Sequence, residues 1–242
     1  MAKSRRKESV KLLGVVRRKR AALLMSTALQ ATVVLVLSVP GMPSPAVAQP
    51  APNALPTAGA VVAGAAALSK TANQLTINQS SDRAALTFQT YNVGSQARVL
   101  YNQPSSNSVT LNRVTDANPS QIAGHIDANG KIVLMNQAGV TFYQGAQVNT
   151  NGLMVTAASM SDGAMKGFVN TGALTFDQAA NPNARVENRG NITIKQAGLA
   201  ALVAPQVANS GTITAKLGHV VLAGASKTTL DLYGDGLVSI DV

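Results

Sequence analysis

Short segments in which apolar and polar residues alternate dominate the chain from residue 69 onward. Alternation with a period of two is typical of β-strands that bury one face. The segments are separated by Asn, Asp and Gly, which are residues that favour turns. Long patterns of helical period are absent after residue 70. The pattern therefore predicts an all-β domain built from short strands.

One phrase recurs about every 17 to 25 residues between Ile126 and Val242. It consists of an aliphatic residue, a polar stretch with Asn or Asp, a Gly, and then alternating apolar residues. Its copies are Ile126–Val133, Val148–Val155, Val169–Thr175, Val186–Thr193, Val207–Thr214 and, more loosely, Leu232–Ser239. The Gly comes four residues after the aliphatic residue in every copy except the third. A period near 20 residues indicates a solenoid, and we expect a right-handed parallel β-helix with one coil per repeat.

Two other repeat-like folds have similar spacing. Leucine-rich repeats have this length, but the chain contains no Leu-x-x-Leu-x-Leu phrase. A β-sandwich also has regularly spaced strands, and the repeated wording favours the solenoid over it. Aromatic residues make up only 3% of the chain and Trp is absent, which a thin core of aliphatic residues tolerates. Asn188 and Asn209 hold the same place in the repeat, and we expect them to bond in an internal ladder.

A basic segment and an apolar stretch open the chain. Residues 1–20 carry nine Lys or Arg and one Glu, residues 21–39 are mainly apolar, and Ala46-Val47-Ala48 follows. This order predicts an extended, helical signal peptide over residues 1–48, cleaved between Ala48 and Gln49. A Pro- and Ala-rich lead-in over 49–68 and a β-helix over 69–242 would follow. The alternative is an uncleaved anchor, because the apolar stretch approaches the length of a membrane span.

The net charge of +10 lies almost entirely in that leader, since the residues after it carry 11 basic and 9 acidic side chains. The main domain therefore lacks the basic stripe that nucleic-acid binding requires, and we expect no nucleic-acid partner. Cysteine is absent, which excludes disulfides and thiolate metal sites. A chain without thiols also suits passage through an oxidising periplasm.

A series of motifs between residues 75 and 160 is specific in its wording and order. It includes Leu111-Asn-Arg-Val114, Asn118-Pro-Ser-Gln-Ile122, Ala128-Asn-Gly130 and Gly145-Ala-Gln-Val148. In this order the motifs resemble the N-terminal secretion domain of filamentous-haemagglutinin-type (TpsA) exoproteins, the substrates of two-partner secretion (TPS). The resemblance covers roughly residues 60–242. It implies a right-handed β-helix with an N-terminal β cap.

The resemblance also implies partners and a location. Sec machinery and signal peptidase would deliver the unfolded chain to the periplasm of a Gram-negative bacterium. POTRA modules of an Omp85-type outer-membrane transporter (TpsB) would capture it for release to the medium or the cell surface. Larger members act as adhesins, haemolysins or toxins, with host or bacterial surfaces as ligands. The implied recognition residues are Asn118, Pro119, Gln121, Asn136 and Gly139.

The chain departs from the family pattern at two places. Members usually have Asn-Pro-Asn-Gly where this chain has Asn136-Gln137-Ala138-Gly139, so the turn must form without Pro. Only Asn181-Pro182-Asn183-Ala184 echoes a further signature, Asn-Pro-Asn-Leu, and coincidence explains that echo at least as well. Two interpretations stay open for Asn136, namely recognition by a partner in the unfolded export state and turn formation after folding.

Enzymatic chemistry is the main competing hypothesis, because β-helices also host carbohydrate-active enzymes. Glycoside hydrolysis needs two nearby carboxylates, and only Asp231 and Asp235 are close in sequence, the latter in a Gly-Asp-Gly turn. Asp127 and Asp162 also stand beside turns, where we expect them to serve local geometry. His125 and His219 are isolated and lack metal-ligand spacing.

We therefore expect no catalytic residue, no metal and no cofactor. An exoprotein that serves adhesion is the preferred interpretation. A β-helical enzyme and a membrane-anchored surface protein are the alternatives. The chain stops in mid-repeat at Val242, which favours truncation of a longer exoprotein.

Overall fold

The computed structural model describes residues 48–195, 198–225, 227–230 and 238–241. The predicted signal peptide up to residue 47 lies outside the described residues, and so does most of the loose repeat copy at Leu232–Ser239. Among the described residues, no helix combines the length and the apolar character needed to cross a membrane.

The strands form three sheets that run along the molecule. Sheet A contains, in spatial order, β1 (Ala60–Ala63), β4 (Arg83–Phe88), β6 (Val109–Val114), β9 (Lys131–Asn136), β12 (Gly152–Thr156), β15 (Leu199–Ala204) and β18 (His219–Gly224). Sheet B contains β2 (Ala66–Lys70), β3 (Gln74–Gln79), β5 (Arg98–Asn102), β8 (His125–Ala128), β11 (Gln147–Thr150), β14 (Asn191–Ile194) and β17 (Thr212–Ala215). Sheet C contains β7 (Ser120–Ile122), β10 (Gly139–Phe142), β13 (Arg185–Asn188) and β16 (Gln206–Asn209).

The chain visits sheets B, A and C in turn, and each coil lies in parallel register on the one before it. We number the coils from the N-terminus. The first holds β3, β4 and a bridge from Val93 to Ile122 in place of a strand in sheet C. The second holds β5, β6 and β7, the third β8, β9 and β10, the fourth β11, β12 and β13, and the fifth β14, β15 and β16. The predicted parallel β-solenoid is confirmed.

A β cap covers the N-terminal end. β1 pairs antiparallel with β4 in sheet A, and β2 pairs antiparallel with β3 in sheet B. The cap therefore closes the open strand edges of the first coil on two of its sheets. Its β1 and most of β2 fall within residues 49–68, the range expected as a lead-in, because the short Ala- and Val-containing segments there pair with the first coil. After the fifth coil, β17 and β18 begin a sixth, and beyond them β19 (Lys227–Leu230) and β20 (Val238–Asp241) pair antiparallel.

The strand register corrects our interpretation of the repeat. Val148 pairs with Ile126 and Ile192, whereas Val186 pairs with Val140 and Val207. The first two copies of the phrase therefore turn from sheet B to sheet A, and the fourth and fifth turn from sheet C to sheet B. Both kinds of corner require an aliphatic strand residue followed by Asn and Gly. The copies are therefore similar in sequence although they occupy different corners of the coil.

The third copy, Val169–Thr175, is not a coil. It covers the end of helix α1 (Asp162–Thr171), which lies in an insertion over residues 157–184 between β12 and β13. Ser161 caps the first turn, and Gly172 ends the helix in the left-handed conformation with φ 85°. The irregular spacing of its Gly was the signal that this copy differs, and a helix of 10 residues is too short to give the long helical pattern that the sequence lacks.

Candidate functional site

Three Asn-containing turns lie on top of one another where the chain passes from sheet A to sheet C. Residues 116–120 lead into β7, which begins at Ser120, residues 136–139 join β9 to β10, and residues 181–184 precede β13. These three strands are neighbours in sheet C. We call the stack of these residues the Asn corner. It brings together Asn118, Pro119, Asn136 and Gly139, with Gln121 one step further along β7.

Asn136 is the buried centre of the Asn corner, with an exposed fraction of 0%. Its Nδ2 donates to the carbonyl oxygen of Asn118 at 3.1 Å and to Oγ of Ser120 at 2.9 Å. Its Oδ1 accepts from the amide of Ala138 at 2.9 Å. The side chain therefore closes its own turn and ties it to the previous coil. This bond to the amide two residues on gives the turn a closure that does not depend on Pro.

Gly139 follows at a place where the backbones of two neighbouring coils approach closely. Its φ is 107°, a conformation that residues with a Cβ rarely adopt. A Cβ added there would lie 2.2 Å from the carbonyl oxygen of Arg185 in the next coil. The position therefore requires Gly for reasons of folding alone.

Gln137 stands where family members have Pro, and it connects the Asn corner to the insertion. Its Nε2 donates to the carbonyl oxygen of Ala179 at 2.7 Å, and its own carbonyl oxygen accepts from the amide of Asn181 at 3.2 Å. The amide of Ala184 donates to the carbonyl oxygen of Asn181 at 2.8 Å. The echo at residues 181–184 is therefore a turn stacked directly on the motif at residues 136–139.

The outer part of the Asn corner is accessible. Asn118 and Pro119 are exposed, and Gln121 is half-buried. Asn118 is held by Asp116, whose Oδ1 accepts from the Asn118 amide at 3.2 Å and from its Nδ2 at 3.0 Å. Sequence reasoning missed Asp116 and Ser120 as members of this site. The spacing of Asp116 and Asn118 is the signal for an Asx turn that could have identified the former.

A charged cluster lies on sheet C one coil further on. Glu187 pairs with Arg185 at 3.3 Å and with Arg189 at 2.9 Å. The hydrogen bond from Arg189 is the main reason why the pKa of Glu187 lies below its ordinary value, although partial burial opposes that shift. Glu187 is the strand partner of Thr141, which is itself the partner of Gln121. The cluster therefore extends the polar outer face of sheet C away from the Asn corner.

The other candidate carboxylates are engaged in local bonds. Asp127 lies within β8, where it pairs with Arg98 at 2.8 Å and accepts from Asn149 at 2.9 Å. Asp162 opens helix α1 and pairs with Arg113. Both side chains are thus engaged in structural contacts. Within the described ranges, no three His, Cys, Asp or Glu side chains gather as a metal site would need, and Asp231 and Asp235 lie outside them.

The predicted ladder of amide side chains is present. Nδ2 of Asn188 donates to Oδ1 of Asn209 at 2.8 Å, and the two residues are strand partners. The same Nδ2 donates to the carbonyl oxygen of Gly190 at 3.3 Å, and the amide of Gly190 donates back to Oδ1 of Asn188 at 3.1 Å. Asn188 thus makes, in a later coil, a set of bonds like that of Asn136.

Several known proteins are similar to this chain. A heme/hemopexin-binding protein of Haemophilus influenzae (strain ATCC 51907 / DSM 11121 / KW20 / Rd) is 34% identical over 190 residues, which are 77% of this chain and 21% of that protein. Another heme/hemopexin-binding protein of Haemophilus influenzae is 40% identical over 90 residues, 37% of this chain and 10% of that protein. The chain thus spans about a fifth of the length of the first of these relatives.

The crystal structure of the HMW1 secretion domain from Haemophilus influenzae is similar to this fold. The TM-score is 0.65 at 27% sequence identity, over 77% of this chain and 49% of the HMW1 chain. The sequence matches the family described as the TPS secretion domain over residues 53–240, a range that includes the cap, the coils and the whole Asn corner. The chain therefore belongs to the family of TPS secretion domains.

Proposed function

We propose that this chain is the export domain of a two-partner secretion exoprotein. Its leader would direct it through the Sec machinery, and signal peptidase would cut between Ala48 and Gln49. POTRA modules of an Omp85-type (TpsB) transporter would then capture it in the periplasm of a Gram-negative bacterium and pass it outward. The match to the TPS secretion domain over residues 53–240 carries this proposal.

The address that the transporter reads would lie in the Asn corner, at Asn118, Pro119, Asn136 and Gly139, and at Gln121 beside it. In the folded domain Asn136 is inaccessible and its side chain is fully engaged in hydrogen bonds. A partner can therefore contact its side chain only before the coil closes. Asn118 and Pro119 are exposed and could be contacted in either state. We infer that the unfolded segment is read first and that the same side chains then build the corner.

Asn188 provides a matched control for testing this address. It is also 0% exposed and makes three side-chain hydrogen bonds, but it lies in sheet C outside the Asn corner. Asn136→Ala and Asn188→Ala should each cost about 1–3 kcal/mol of folding free energy, because each leaves buried groups unpaired. Only Asn136→Ala should also reduce transporter-dependent secretion beyond what this loss of stability explains.

The assay follows the full chain in cells with and without the cognate transporter. Secreted product is quantified by mass spectrometry, which also reports whether it begins at Gln49. Equal loss of secretion in the two variants would show that the Asn corner serves only folding. Transporter-independent release of the wild-type chain would overturn the export role itself.

We also propose that the whole exoprotein acts by binding at the cell surface, as an adhesin does, without catalysis. Its relatives are named for binding heme and hemopexin, and this favours a binding activity over an enzyme. Secreted product should be retained by immobilised hemopexin or by host cells. Retention by neither would contradict this part of the proposal and leave the export role untouched.

A further inference from the structure

The insertion between β12 and β13 returns to the beginning of the molecule. It leaves the fourth coil after β12, yet helix α1 packs against β1 of the cap and β4 of the first coil. In a simple solenoid each repeat contacts only its neighbours, so stability is a sum of local terms. The insertion breaks that rule, because it joins coils that are separated by about 80 residues of sequence.

Apolar packing holds the insertion on the outer side of sheet A. Its five large apolar side chains are at most 8% exposed. They are Met160, Met165, Phe168, Leu174 and Phe176. They belong to one cluster with residues of six sheet A strands, among them Ala85, Leu111, Val133, Met154 and Val203. This cluster is distinct from the interior core, which means that the outer face of sheet A is apolar where the insertion covers it.

Two arginines on sheet A bind the two ends of the helix. Arg83 in the first coil donates from Nε to the carbonyl oxygen of Val169 at 2.9 Å and from Nη2 to that of Asn170 at 3.3 Å. These carbonyls belong to the last turn, where a cation is favoured by the helix dipole. Arg113 in the second coil donates from Nη1 to the carbonyl oxygen of Met160 at 2.9 Å and pairs with Asp162 in the first turn.

The insertion also closes on itself at its base. Ser159 and Gln178 exchange two backbone hydrogen bonds, at 2.8 and 3.1 Å. Asp177 accepts from the amide of Ser161 at 2.7 Å and from its hydroxyl, and Ser161 in turn caps helix α1. The segment between these residues can therefore dock as a preformed unit once its platform exists. Helix α1 lies on β1 and β4, and its apolar cluster extends through β12 of the fourth coil to Val203 in β15. Docking must therefore follow assembly of the cap and the first four coils, and the fifth coil adds to the contact afterwards.

We propose that residues 157–184 form a folding latch, which docks when the fourth coil is complete and joins the cap and the first four coils into one cooperative unit. Before docking, the outermost coil can open without disturbing the others. After docking, opening the first coil also requires removal of α1 from sheet A. The latch does not depend on the proposed export function. Only its consequence for export rests on that function, namely that coils already outside the cell cannot unfold back toward the transporter.

Hydrogen exchange of the purified full chain, read by mass spectrometry, tests the latch without a transporter. Phe168→Ala removes a ring that lies in the latch contact, and Phe142→Ala removes a ring from the interior of the third coil. Phe168→Ala should speed exchange of amides in β4 and β6 about 100-fold, as the loss of a buried ring implies, and leave β14 and β17 of sheet B nearly unchanged. Phe142→Ala should speed exchange throughout the coils.

A milder variant covers the case in which Phe168→Ala fails to fold. Arg83→Met keeps the aliphatic stem but removes the bonds to the helix end, and it should speed exchange of α1 amides about tenfold through the loss of hydrogen bonds from a charged group. Unchanged exchange of β4 in a folded Phe168→Ala chain, or of α1 in the Arg83→Met chain, would overturn the latch. Loss of secretion on mutation of Asn136 has no bearing on either result.

Discussion

The first two coils and the later coils differ in what fills them. Inside the first two, the hydroxyls of Tyr91 and Tyr101 lie 2.7 Å apart, and that of Tyr101 donates to Oδ1 of Asn112 at 2.9 Å. All three residues are at most 1% exposed, and burial raises the pKa of both tyrosines well above the ordinary value. Inside the fourth and fifth coils the interior is aliphatic, with residues such as Ile192 and Leu202.

The same two regions differ in regularity. Leu75, Val99 and Ile126 are partners in neighbouring coils and are 24 and 27 residues apart, whereas Ile192 and its partner Ile213 are 21 apart. Regular coils have the same residue types at the same corners, and they can therefore be recognised as a repeat in the sequence. Irregular coils need particular side chains at particular places. The difference teaches that the repeat identifies the solenoid, while the irregular first coils depend on a buried polar network that no repeat indicates.

The largest effect should come from the aliphatic interior of the later coils. Leu202 in β15 is 0% exposed, and Leu202→Ala should lower the free energy of unfolding by about 2–5 kcal/mol, because the cavity cannot close in a stacked core. Chemical denaturation followed by circular dichroism measures the change. Leu217→Ala is the control, since that side chain is 75% exposed and should cost little. A loss below about 1 kcal/mol for Leu202→Ala would mean that these coils are not the well-packed part of the molecule.

The next effect concerns the corners. Gly139→Ala combines a positive φ with a clash against the carbonyl oxygen of Arg185, and should cost about 2–3 kcal/mol. Gly145→Ala is the matched variant, because Gly145 also has a positive φ of 94° but no heavy atom lies within 4 Å of its would-be Cβ. That variant should cost only about 1 kcal/mol for backbone strain. Equal losses of stability for the two variants in thermal unfolding would show that the close packing of coils at the Asn corner does not contribute to the cost of substituting Gly139.

Sequence reasoning identified the solenoid, the β cap and the family, because alternation, Gly-containing turns and ordered motifs are local features of the chain. It misassigned the corners, because the turn into sheet A at Gly130 and the turn into sheet B at Gly190 demand the same residue types. Only strand register, which depends on contacts between coils, separates them. Similarly, nothing local reveals that Met165 and Phe168 face an apolar outer wall of sheet A.

The candidate site was predictable in part. The resemblance supplied Asn118, Asn136 and Gly139, and the structure places them in one corner. It could not show that Asn136 is buried, since burial arises from the stacking of the turn on Ser120. The hydrogen bond of Gln137 could not be predicted for the same reason, because its partner Ala179 lies 42 residues away in the insertion.

A smaller effect should come from the polar network of the first two coils. Tyr101→Phe removes the donor to Asn112 and the partner of Tyr91, and should cost about 1–3 kcal/mol. Tyr91→Phe removes only the outer link and should cost less. Urea unfolding of both variants gives the comparison. If Tyr101→Phe were neutral, the buried polar network would contribute nothing to the stability of the irregular coils.

The smallest effect is the response to acid, which should act on the insertion and the fourth coil. The hydroxyl of Ser161 is the main reason that the pKa of Asp177 lies below its ordinary value, and Arg189 does the same for Glu187. Both pKa values are lower in the folded than in the unfolded chain. Their stabilisation is therefore complete at neutral pH and is lost as the pH falls below about 4.

Because Asp177 is largely exposed, the solvent screens its interaction and the change in melting temperature should be modest. Thermal unfolding between pH 7 and pH 3 should show a decline that is shallower in Asp177→Asn and Glu187→Gln, and shallowest when both are combined. The tyrosine network titrates far above this range, so Tyr101→Phe should keep the wild-type acid dependence. If the melting temperature of the double variant fell with pH as steeply as that of the wild type, the acid-sensitive groups would lie elsewhere. The insertion and the fourth coil would then not differ from the first two coils in their response to acid.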